Sequence, residues 1–125
     1  VQMGTRFVAS HESSAHDNFK HTITNSNEGD TILTLKEITP VRLIKNKFFE
    51  DVQELYSKCP TKDDLTALLG RARAKKGIFE GDVEEGELEI GQIAGLIHEI
   101  KSAESIVKDM MHEYQLAKAK VSQFI

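Results

Sequence analysis

The chain opens Val1-Gln2-Met3-Gly4-Thr5-Arg6-Phe7. Val1 and Met3 alternate with Gln2 before Gly4-Thr5, the pattern of a short strand that stops at a turn. Glycine lets another group come close to the main chain, and consecutive amide N–H groups at such a point form a concave anion receptor. Cradles of this kind lie at the carboxyl ends of parallel barrel strands. Taken alone, Met3-Gly4-Thr5 also fits an ordinary turn. The chain starts with neither a methionine nor a polar lead-in, so the reading expects it to begin inside a strand, as a piece of a larger fold.

Downstream the pattern is mostly helical. Ser10-His11-Glu12-Ser13-Ser14 reads as a polar loop. Ala15, Phe19 and Ile23 then share one face of a helix predicted over residues 15–27, which Gly29 stops. Asp30 to Lys36 is β-branched and apolar enough for a strand. Val41-Arg42-Leu43-Ile44, after Pro40, fits either a second strand or the first turn of a helix. Phe48, Phe49, Val52, Leu55 and Tyr56 place a helix over residues 46–58. Thr61 followed by Asp63 and Asp64 caps another, predicted to run to about Lys75 despite Gly70. Gly77 to Gly91 is irregular; Ile93, Leu96, Ile97 and Ile100 resume helical spacing. A last helix carries Ile106, Val107, Met110, Met111, Tyr114 and Leu116.

Composition narrows the function. The 125 residues suit one domain, and the net charge of −4 argues against nucleic acid as a general partner. No apolar run approaches the ~20 residues of a membrane span, and no leader pattern is visible. Cys59 is alone, which excludes an internal disulfide and makes a reducing cytoplasm the expected location. Cys59 itself is read as incidental. His11, His16 and His21 are spaced by five residues, about 140° apart on a helix, so they make no shared metal face. Glu80 to Glu89 misses the ligand spacing of a calcium loop and is read as a solvated segment facing the basic run Arg71 to Lys76. No metal site is expected. Gly91 and Gly95 are small residues four apart that ask for close packing, and Gln92 between them can both donate and accept hydrogen bonds.

Read together, the pieces carry a resemblance. Val1 to Phe7, Ser10-His11-Glu12-Ser13, Ser14-Ala15-His16, Asp30-Thr31 and Pro40-Val41-Arg42 occur in the order found in the nitronate monooxygenase family, formerly called 2-nitropropane dioxygenases. Lys45-Asn46-Lys47-Phe48, Gly70 to Gly77, Phe79-Glu80-Gly81-Asp82 and Gly86 to Gln92 continue that order. The resemblance implies an α/β fold, the C-terminal part of a flavin-binding (β/α)₈ barrel, mostly helical as an isolated piece. Residues 1–29 would be the last barrel strand and its helix, 30–86 an inserted α+β lid segment, and 87–125 the return to the barrel with terminal helices. The implied cofactor is FMN, its phosphate held by Gln2, Met3, Gly4 and Thr5, with Gln92 near the flavin or substrate. The implied reaction is oxidation of an alkyl nitronate by O₂ to a carbonyl compound and nitrite. No catalytic residue is assigned here, because the family's histidine belongs to an earlier strand; the isolated piece is expected to be inactive. Family members are often homodimers.

Two other readings stay open. The related flavin-dependent enoyl-acyl carrier protein reductases share the barrel, the Met-Gly-Thr strand and a Gly-Gln element. A non-catalytic helical interaction module also fits the composition.

Overall fold

The computed structural model describes residues 1–124. Its centre is a β-hairpin, β1 (Thr31–Thr34) and β2 (Val41–Ile44), antiparallel with Thr31 opposite Ile44 and Thr34 opposite Val41. The open alternative at Val41–Ile44 is thus resolved as a strand. Residues 88–90 run along the free edge of β2: Ile44 N–H donates to Leu88 O (3.0 Å) and Ile90 N–H to Arg42 O (3.1 Å). Side chains alternate across a strand, so neighbouring residues of β2 serve different cores. Ile44 joins Phe19, Ile23, Leu88, Ile90 and Ile97 on one side; Leu43 joins Phe48, Phe49, Val52 and Leu65 on the other.

The helices follow from caps and apolar faces. α1 (Thr5–Val8) is a single turn starting after Gly4. Val1 to Met3 have no ladder partner among the described residues, and Thr5 to Phe7, expected to belong to the opening strand, lie in α1 instead. α2 (Asp17–Thr24) begins at His16, whose Nδ1 accepts from Asn18 N–H at 3.1 Å, and it buries Phe19 and Ile23 beside Ala15, the face its spacing predicts. Gly29 follows at φ +86°.

α3 (Lys47–Tyr56) is capped by Asn46, whose Oδ1 accepts from Phe49 N–H while Nδ2 donates to Val83 O (2.9 Å) and Gly86 O (2.8 Å). One side chain therefore starts the helix and pins the acidic segment. α4 (Lys62–Leu69) has a reciprocal capping box between Thr61 and Asp64. It ends six residues short of Lys75, because Gly70 (φ +66°) and Ala72 (φ +58°) turn the backbone left-handed before α5 (Arg73–Ile78). Arg73 repairs the break. Its guanidinium donates to Leu68 O, Leu69 O and Glu85 O and lies 4.4 Å over the Phe48 ring. The acidic segment is accordingly more tightly held than a solvated loop, with Lys47–Glu85 (2.6 Å), Lys76–Asp82 (3.0 Å) and Lys75–Glu80 (3.4 Å) pairing it to basic neighbours.

Gln92–Leu96 forms a 3₁₀ turn where an α-helix was expected. Gly95 packs closely on the preceding turn: a Cβ there would stand 3.0 Å from the Asn27 carbonyl carbon, so a larger residue would push the two segments apart. α6 (Ala103–Ser122) is capped by Ser102 and tied to the start of the chain by Glu12, whose carboxylate accepts from Ala103 N–H at 2.9 Å.

Candidate functional site

Three residues of the five singled out by sequence come together. Thr5 and Gly91 lie 86 positions apart, yet Gly91 N–H donates to Thr5 Oγ1 at 3.0 Å. A Cβ on Gly91 would stand 2.8 Å from the same oxygen, so the contact demands glycine. This junction sets Gly4 and Thr5 beside Gly91 and Gln92 along an open groove of about 610 Å³ that Arg42 and Glu89 also line.

The polar inventory suits an oxyanion. Neither the Gly4 nor the Thr5 amide N–H meets an acceptor among the described residues, and Gly4 O is taken by Phe7 and Val8 N–H. A Cβ on Gly4 would meet nothing within 4 Å, so the main chain is open to approach on that side. Thr5 Oγ1, accepting from Gly91, keeps its own proton to donate outward. These groups fit a phosphate as donors. Glu89 is the one acidic residue lining this groove and sets a limit on how far a dianion can extend along it.

The other assignments fare differently. Gln2 is exposed and takes no part in the junction. Met3 lines a separate groove of about 330 Å³ with Arg6, Ile97 and Ile106. Gln92 is exposed at the start of the 3₁₀ turn, where its side chain borders the Gly4–Thr5 groove and a second one. Arg42 was passed over by sequence reasoning as part of a motif without a role. Its position two residues before Ile44, on the same face of β2, was the available signal.

Among the perturbed carboxyls, Glu87 and Glu12 shift in opposite directions. Burial, with Glu89 adding repulsion and Arg73 opposing it, raises the Glu87 carboxyl above the usual range. Donation from Ala103 N–H holds Glu12 below it. Among the described residues, no group of three or more His, Cys, Asp or Glu is placed to hold a metal ion, and no helix is long and apolar enough to cross a membrane.

The chain is similar to a probable nitronate monooxygenase of Staphylococcus saprophyticus, 40% identical over 82 residues, covering 62% of this chain and 23% of the relative. A probable nitronate monooxygenase of Staphylococcus aureus strain Newman is 33% identical over 81 residues, again 62% of this chain and 23% of the relative. FabK from Thermotoga maritima has the same fold over 100% of this chain and 40% of its own, with a TM-score of 0.86 and 34% identity. Its M276A mutant gives 0.82 over 100% and 37%, also at 34% identity. The chain thus spans about a quarter of the curated relatives and under half of the solved ones. The family model described as nitronate monooxygenase matches residues 1–113, and the chain belongs to that family.

Proposed function

We propose that this chain is part of an FMN-dependent nitronate monooxygenase, contributing the phosphate-binding turn and one wall of the flavin site. The observation that carries the reading is the Thr5–Gly91 hydrogen bond of 3.0 Å, which locks two unpaired main-chain donors beside Gln92. Gly4 and Thr5 would hold the phosphate through their N–H groups, with the Thr5 hydroxyl as a third donor. Met3, in a neighbouring groove, would support the turn; Gln2 would add a main-chain contact. Bound flavin supplies the electron transfer that oxidises the alkyl nitronate with O₂; this chain's own part is to hold and orient. The lid role of residues 30–86 and the TIM-barrel setting belong to the same proposal, resting on family membership and the likeness to FabK. That likeness equally favours the runner-up, a flavin-dependent enoyl-acyl carrier protein reductase.

The test compares FMN with riboflavin, which differ in the phosphate alone. FMN is expected to shift the backbone amide resonances of Gly4 and Thr5, while riboflavin leaves them in place. Equal responses to both ligands would remove the phosphate assignment. In a flavin-loaded longer protein that contains this chain, nitronate-dependent oxygen uptake is expected; NADH-dependent enoyl reduction in its place would select the runner-up.

A further inference from the structure

Two grooves share one wall. The first is the Gly4–Thr5 groove; the second, of about 660 Å³, runs between the Gly29 turn and the 3₁₀ segment, and Arg42 and Gln92 line both. Arg42 is half-buried and is anchored from one side: Nη1 donates to Thr31 O at 3.0 Å and to Thr31 Oγ1 at 3.4 Å. Among the described residues its Nε and Nη2 have no acceptor and the guanidinium has no salt bridge. Glu28 borders the second groove and Glu89 the first, and neither pairs with it. The idle donors are not sealed from solvent, so an arriving acceptor exchanges with water at a guanidinium already held in place by Thr31.

The anchor decides which acceptor fits. With Nη1 occupied, the free edge is the parallel Nε–Nη2 fork, which matches two oxygens held in one plane. Carboxylates and alkyl nitronates share that outline, each spreading one negative charge over two coplanar oxygens. We propose that Arg42 is a receptor for a planar two-oxygen anion, with the Gln92 side-chain amide as second donor. The proposal rests on the preceding functional reading only in naming nitronate as the physiological anion. Glu28 and Glu89 keep the surrounding field from being generally cationic, so recognition depends on the fork rather than on charge alone.

The experiment follows the Arg42 Nε–H and Gln92 side-chain amide signals in the 125-residue chain by ¹⁵N NMR, titrating propionate and propyl-1-nitronate at constant ionic strength. Both anions are expected to give saturable shifts at these two groups, with chloride giving none. Arg42→Gln is expected to weaken both by about tenfold or more, and Arg42→Lys to restore only part, since an ammonium has no fork. Should Arg42→Gln disturb the hairpin, seen as lost amide dispersion, Arg42→Lys decides: affinity equal to the wild type overturns the proposal. So does a chloride response of the same size, or shifts centred on Arg71 or the exposed lysines. No flavin enters this titration. If FMN ignores Gly4 and Thr5 while propionate still finds Arg42, the flavin reading falls and the anion receptor stands.

Discussion

α3 and α6 are both amphipathic, and they meet opposite fates. α3 buries Phe48, Phe49 and Val52 within ten residues and is locked at its start by Asn46. α6 is twice as long and buries Ile106 alone, leaving Val107 47%, Met111 54% and Tyr114 56% exposed. Apolar spacing was legible in both. What differs is whether a neighbouring segment of this chain arrives to cover the face, and periodicity says nothing about that.

The largest expected effect lies on the α3 side. Phe48→Ala should cost about 3–5 kcal/mol by chemical denaturation, as for other buried aromatics, because it empties the core and strips the ring under Arg73. A loss below about 1 kcal/mol would erase the contrast between the two helices.

Acidity sharpens the comparison next. Glu12 anchors the start of α6 with a lowered pKa, so its contribution is present above the unfolded value near 4.3 and is lost as pH falls through the lower folded value. Glu87, beside the segment that α3 grips, has a raised pKa: its ionisation opposes folding as pH rises past the unfolded value, fully so above the folded one. Glu12→Gln should therefore lower Tm at neutral pH, and Glu87→Gln should raise it. The Glu87→Gln gain should vanish near ~pH 3, where that carboxyl is protonated in both states, whereas the Glu12→Gln loss should shrink only as pH falls through the lowered folded value. Persistence of the Glu87→Gln gain at that pH would show a packing effect instead.

The smallest effect is expected on α6. Met111→Ala should change stability by no more than about 0.5 kcal/mol, the range of ordinary surface substitutions. A larger loss would mean that the outer face of α6 is covered in solution.

Legibility followed the range of the interactions involved. The Ala15–Phe19–Ile23 face and the Thr61 cap could be read because their partners lie within a turn or two. The end of α4 could not: Leu68 and Leu69 continue the helical pattern, and the stop depends on left-handed Gly70 and Ala72, stabilised by Arg73 reaching back. At the opening, alternation marks strand capacity while a ladder needs a second segment, so Val1 to Met3 stay unpaired and Thr5 to Val8 coil into a turn of helix. At the site, Gly4, Thr5 and Gln92 were visible as small and polar residues in suggestive company. Their meeting through Gly91, and the idle fork of Arg42, arise only once β2 and residues 88–92 lie side by side.

The alternation of Leu43 and Ile44 has a consequence for how the molecule comes apart. Each hydrophobic cluster uses β2 as a partition, so neither can melt and leave the other with an intact wall. Local opening is then confined to the periphery, such as the far end of α6, while the strand and everything resting on it yield together as one cooperative unit. The backbone of Arg42 belongs to that partition, so its guanidinium, tied to Thr31, is placed by the last part of the fold to open.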